Sequence, residues 1–142
     1  MRTSQARPHH HRMDELTRDI ISAAFEVQNT LGSGFLEKVY HQALIAELRL
    51  RNLQAASQVT FPVKYKGRSV GDYFADIVVE KIIVVELKCV DRLSKEHLAQ
   101  CLNYLKASNL EVCLLINFHR PMLEWKRISR SIGVNRRESA AN

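Results

Sequence analysis

Residues 73–89 read YFADIVVEKIIVVELKC, and this stretch decides the fold. Its apolar residues fall into two short runs, Ile77 to Val79 and Ile82 to Val85, dominated by the β-branched residues that favour strands. Two paired, largely buried strands follow. Into that setting the sequence places Asp76, Glu86 and Lys88, residue types that are rarely buried without a partner or a metal. Side chains two apart on a strand share a face, so Glu86 and Lys88 point the same way. A two-residue loop at Glu80 and Lys81 would set Asp76 opposite Val85 and Glu86 on the other face. A three-residue loop, Val79 to Lys81, pairs Val78 with Ile82 and gathers Phe74, Asp76, Val84, Glu86 and Lys88 on one face. An odd loop or a bulge is therefore expected.

Two carboxylates converging on one face repel each other unless a cation lies between them, and oxygen ligands of this kind suit Mg²⁺ or Mn²⁺. An adjacent lysine can then hold or help deprotonate a water, or stabilise charge developing on a phosphate. The competing explanation is a plain Glu86–Lys88 ion pair at a solvated strand end.

Outward from this stretch, the 142 residues are 46% hydrophobic and 25% charged, which fits one globular domain and excludes a disordered or fibrous chain. The net charge is +6, with Arg2, Arg7 and Arg12 early and Lys126, Arg127, Arg130, Arg136 and Arg137 late. A polyanionic partner, nucleic acid above all, is the expectation. Cys89, Cys101 and Cys113 lie in apolar surroundings without metal-ligand spacing and read as reduced, packed thiols of a cytoplasmic protein. No apolar run approaches the roughly 18 residues of a membrane helix, and no basic start leads into an apolar signal core.

Residues 1–13, with His9, His10 and His11, read as a basic, disordered tail, residues 14–130 as the folded domain, and residues 131–142 as a second disordered tail. Leu16, Ile20, Ala23, Ala24 and Val27 recur at helical spacing from Asp14 or Glu15 to about Leu31, and Gly32-Ser33-Gly34 closes that helix. A second helix spans about Leu36 to Arg51, with Glu37 and Tyr40 on one face. On spacing alone, Glu37 is a first-turn carboxylate favoured by the helix dipole. Strands follow at Val59 to Tyr65, Ser69 to Val79 and Ile82 to Lys88, forming a meander. Ser94 caps a helix running to about Ala107, whose stripe of His97, Gln100 and Tyr104 is either a solvated face or the lining of the acidic site. Glu111 to Phe118 reads as a strand buried on both faces and parallel to an earlier one, and Met122 to Ile128 as a last edge strand with Trp125 inward.

The segments GSGFLEKVYHQAL, KYKGRSVGDYFADIVV, VVELK, HLAQCLNYLK and CLLINF together resemble the GxxExxY family, itself similar to the PD-(D/E)XK nuclease-like superfamily. The resemblance covers about Leu16 to Ile128. It implies an α/β fold with a restriction-endonuclease-like αβββαβ core, a mixed central sheet flanked by helices. It implies that Asp76 and Glu86 are metal-binding acids, Lys88 the catalytic lysine, and Glu37 a further metal ligand from the helix, reversing the reading from spacing. Gln100 and Tyr104 match the Gln-x-x-x-Tyr signature of RecB-like members and line the active site, while Gly34 and Tyr40 take structural duties. Ala75 stands where the motif has proline, Cys89 and Cys113 where small residues are expected, and His119 where glycine is usual. The implied activity is Mg²⁺- or Mn²⁺-dependent hydrolysis of phosphodiester bonds, with DNA the expected substrate. The alternative is a nuclease-like fold that binds nucleic acid or protein without cutting. Oligomeric state stays open, a homodimer included.

Overall fold

The computed structural model describes residues 9–119, 121–130 and 133–139. Their elements run α1 (His9–Leu31), α2 (Glu37–Leu50), β1 (Ala55–Tyr65), β2 (Arg68–Val79), β3 (Ile83–Lys88), α3 (Lys95–Ser108), β4 (Val112–Asn117), β5 (Glu124–Ser129) and β6 (Gly133–Ser139). The strands form one sheet in the order β1-β2-β3-β4-β5-β6. Only the β3–β4 pair is parallel, Ile83 to Val112 through Lys88 to Asn117, as a helical crossover requires. The result is the expected mixed α/β architecture.

Helices cover both faces of the sheet. On one, Ile20, Ala24, Tyr40, Leu44 and Leu48 of α1 and α2 bury Ile77, Val79, Ile83, Val85 and Leu87. On the other, Cys101, Tyr104 and Leu105 of α3 bury Val78, Val84, Cys113 and Leu115. Every residue of β4 is buried, as its unbroken apolar run requires. Ser94 caps α3 reciprocally: its Oγ accepts from the His97 N–H, and His97 Nδ1 accepts from the Ser94 N–H.

Three expectations need correction. Helix α1 begins at His9, ahead of Asp14, because Met13 is buried in the core and Asp14 bonds Arg127 at 2.7 Å. Residues 1–8 of the expected N-terminal tail lie outside the described residues. At the other end, residues 133–139 form a strand, since β5 offers an unpaired edge that β6 takes up from Glu124↔Ser139 to Ser129↔Gly133. Residues 131, 132 and 140–142 of that expected tail are not among the described residues, and β5 is not an edge strand. Finally, the β2–β3 loop has three residues as expected, but displaced by one: Val79 pairs with Ile83 and Val78 with Val84. Glu80 and Lys81 adopt left-handed backbone, φ 54° and 60°, and the Ile82 N–H closes on the Val79 carbonyl at 2.9 Å.

Candidate active site at the fork of β2 and β3

Strands β2 and β3 pair over only three residues each, Ile77 to Val79 with Ile83 to Val85, and then part. One step further in the same register, Asp76 faces Glu86 across the fork. The Asp76 carboxylate fills the gap in the ladder: its Oδ2 accepts the Leu87 N–H at 2.9 Å. This anchors one oxygen and leaves Oδ1 as the second acceptor.

The local backbone is distorted to allow it. The β1–β2 register passes from Ser57↔Ile77 to Val59↔Ala75 and skips Gln58 and Asp76. Gln58 is left-handed, φ 53°, an uncommon state for a non-glycine residue within a strand. The Asp76 carbonyl instead accepts from His41 Nε2 of α2 at 3.0 Å, which requires Nε2 to carry the proton. Ala75 packs on the α3 side although Ile77 packs on the other, so the shared face predicted for Phe74 and Asp76 does not run unbroken through this point.

Glu86 is 3% exposed. Its Oε2 lies 3.7 Å from Lys88 Nζ and 3.4 Å from the Tyr104 hydroxyl, while Oε1 is buried with no hydrogen-bond partner among the described residues. Burial, and secondarily the Asp76 charge, push the Glu86 carboxyl up to about 8, with Lys88 offsetting only part. The Tyr104 hydroxyl offers its one proton to two acceptors, the Phe74 carbonyl at 2.9 Å and Glu86 Oε2 at 3.4 Å, and the shorter contact is to the carbonyl. Burial, then Glu86 and Asp76, raise the Tyr104 phenol far above its ordinary range. Gln100 Nε2 donates to that hydroxyl at 3.5 Å.

Glu37 opens α2. Its carboxyl is raised by partial burial, then by Asp76, and lowered by Lys88 and His41, so it lies within the field of the site. Among the described residues, however, no group of three or more His, Cys, Asp or Glu side chains is gathered for a metal ion. Glu37 thus shares the field of Asp76 and Lys88 without completing a three-residue group with the fork acids among the described residues. His97 is held low by burial and by the Lys88 ammonium, with Glu96 acting against them, which puts it too beside the lysine.

Tyr40, in the first turn of α2, belongs to the core. It is fully buried, donates to the Gly32 carbonyl at 2.6 Å, accepts the Phe35 N–H at 3.2 Å, and stacks on Phe118 at 4.8 Å between centroids. It thereby ties the α1–α2 turn to the end of β4. Gly34 sits in that turn at φ 111°, a conformation that a side chain disfavours.

The residue that sequence reasoning missed is His41. Its one signal is its place one turn after Glu37, on the same side of α2.

A divalent cation fits this donor set. Glu86 Oε1 is an orphaned buried oxygen, and the nearby Asp76 charge adds to the cost of ionising Glu86 in a way that a cation would relieve. No helix among the described residues is long and apolar enough to cross a membrane. No curated protein and no solved structure matches the chain. The family model of the PD-(D/E)XK nuclease superfamily matches residues 14–128, which include Glu37, the fork acids, Lys88, Gln100 and Tyr104. The chain therefore belongs to the PD-(D/E)XK nuclease superfamily.

Proposed function

We propose that the protein is a Mg²⁺-dependent nuclease that hydrolyses phosphodiester bonds, with DNA as substrate, and that it groups with GxxExxY-type members through Gly34, Glu37 and Tyr40. The observation that carries this reading is the fork itself: Glu86, buried with an unpartnered oxygen, faces Asp76 and lies 3.7 Å from Lys88. A chain without use for these charges gains nothing from burying them at a desolvation cost of several kcal/mol.

Asp76 Oδ1 and Glu86 Oε1 would hold the cation, with Glu37 approaching from the N-terminus of α2. When bound, it would neutralise the acid pair, polarise the phosphate and lower the pKa of a bound water. Lys88 holds the attacking water by its ammonium or meets the charge that builds on the phosphate oxygens. Glu86 would release its proton to solvent on taking up ligand duty. Tyr104, locked to the Phe74 carbonyl, and Gln100, bonded to Tyr104, wall the α3 side and fix the position of Glu86. His41 fixes the Asp76 backbone from the opposite side. The free thiols Cys89, Cys101 and Cys113 fit a reducing, cytoplasmic setting.

Cleavage of labelled single- and double-stranded DNA and RNA, with Mg²⁺, Mn²⁺ or EDTA and beside Lys88→Ala, tests this reading. Metal-dependent cleavage that vanishes in the variant is the expected result. A second reading, a module that binds nucleic acid or protein without cutting, takes support from the absence of a three-carboxylate group among the described residues. Retained binding with no cleavage under any metal would select it.

A further inference from the structure

Beyond Ile77, β1 and β2 continue together as a hairpin arm that β3 no longer accompanies. The arm carries Lys64, Lys66 and Arg68, together with exposed Tyr65 and Phe74. Between it and the outer face of α3 lies an open cleft of about 470 Å³, lined among others by Lys64 and Tyr73 of the arm and by Asn103 and Lys106 of α3. Lys64, Asn103 and Lys106 are exposed, so their polar ends are available to a ligand.

The cleft connects to the acids through two tyrosines. Tyr73 meets Tyr104 edge to face, ring centroids 5.2 Å apart and planes at 82°, and the Tyr104 hydroxyl is 3.4 Å from Glu86. Two rings in edge-to-face contact thus separate cleft from acid. Its chemistry is an ammonium from each wall, an amide and an aromatic ring. Lysines neutralise phosphates, aromatic rings stack bases, and an amide donates and accepts. The volume is that of a small-ligand pocket, which takes a nucleotide unit and not a duplex. We infer that this cleft is the binding channel for a single-stranded nucleic-acid segment next to the bond cleaved at the fork. One backbone phosphate lies between Lys64 and Lys106, and a base lies against Tyr73. The inference deepens the nuclease reading by naming an unpaired strand as what the site receives.

The test is binding measured in EDTA, which separates it from the question of cleavage. Fluorescence anisotropy of a labelled oligodeoxythymidine, its ribo counterpart and a DNA duplex is titrated against the intact protein, Lys64→Glu/Lys106→Glu, Tyr73→Leu, and Arg18→Glu on α1 as a charge-reversal control away from the cleft. The double lysine variant should lose roughly tenfold or more in single-strand affinity and flatten the log-log salt slope by about one, for the single phosphate that the pair neutralises. Tyr73→Leu should weaken single-strand binding without changing the slope, and Arg18→Glu should leave single-strand binding unchanged. Deoxy and ribo strands distinguish the source of the strand. Unchanged affinity and slope in the double variant would overturn the channel, as would equal losses on duplex and single strand. Absence of cleavage by the intact protein under any divalent metal, with binding through the cleft retained, would refute the nuclease reading and leave the channel standing.

Discussion

The carboxylate of Asp76 takes the hydrogen bond of Leu87 N–H, 2.9 Å, at the point where β2 leaves β3. The side chain thus closes the ladder with one oxygen and presents the other to the site. Asp76→Asn keeps an acceptor for Leu87 and removes the charge. Cleavage should fall by two orders of magnitude or more while the urea midpoint barely moves. Asp76→Ala leaves that N–H unpaired and should cost about 1–3 kcal/mol in addition. A fully active Asn variant would refute the assignment.

Glu86 sets a pH dependence with a definite sign. Its folded value, about 8, lies above the ordinary 4.5, so the stability it contributes is complete below about pH 4.5 and is lost as pH rises through 8. The loss is on the order of a few kcal/mol. Metal-free urea melts of Glu86→Gln should match the intact protein near pH 5 and exceed it near pH 9. Parallel curves at both would show that Glu86 does not titrate in this range.

Lys88 partly offsets the cost of ionising Glu86, with its ammonium 3.7 Å away. Lys88→Ala should abolish cleavage and also move the stability change of the preceding paragraph to higher pH. Lys88→Arg keeps the charge but not the compact ammonium, and should restore the pH midpoint without restoring the rate. A Lys88→Ala midpoint identical to that of the intact protein would contradict the coupling.

His41 acts on the backbone of Asp76 and not on substrate, through the 3.0 Å bond to its carbonyl. His41→Ala should raise the Mg²⁺ concentration for half-maximal cleavage by about 10- to 100-fold, the range for groups that orient metal ligands. His41→Gln, whose amide can donate to the same carbonyl, should recover much of it. A purely structural histidine would lower the melting midpoint and leave the metal requirement alone.

Tyr40 offers the opposite case. Tyr40→Phe keeps the stack on Phe118 but strands the Gly32 carbonyl and the Phe35 N–H. It should cost about 1–3 kcal/mol of stability by denaturant melt and leave the cleavage rate of the folded fraction within about twofold. A large rate loss at full folding would move Tyr40 into the chemistry.

The element order, the parallel β4 and the odd β2–β3 loop were legible because each has a strong local cause. β-Branched runs mark strands, Ser94 marks a helix start, and the wish of Asp76, Glu86 and Lys88 for one neighbourhood fixes loop parity. What was hidden lies in tertiary contacts. Residues 133–139, GVNRRES, carry no strand pattern and pair because β5 leaves an edge open. The helical start at His9 depends on Met13 reaching the core. Gln58 carries no sign of a left-handed backbone, and a lone histidine on a helix does not reveal that it will bind a strand carbonyl. Glu37 matched a motif, yet whether it joins the acid pair depends on the reach of α2, which no spacing encodes.

The short β2–β3 seam divides the site between two supports. Asp76 belongs to the strand that continues into the arm, and Glu86 and Lys88 to the strand paired with β4. The spacing of the two acids is therefore set by where β2 leaves β3, and the Leu87 N–H and His41 hold Asp76 at that point.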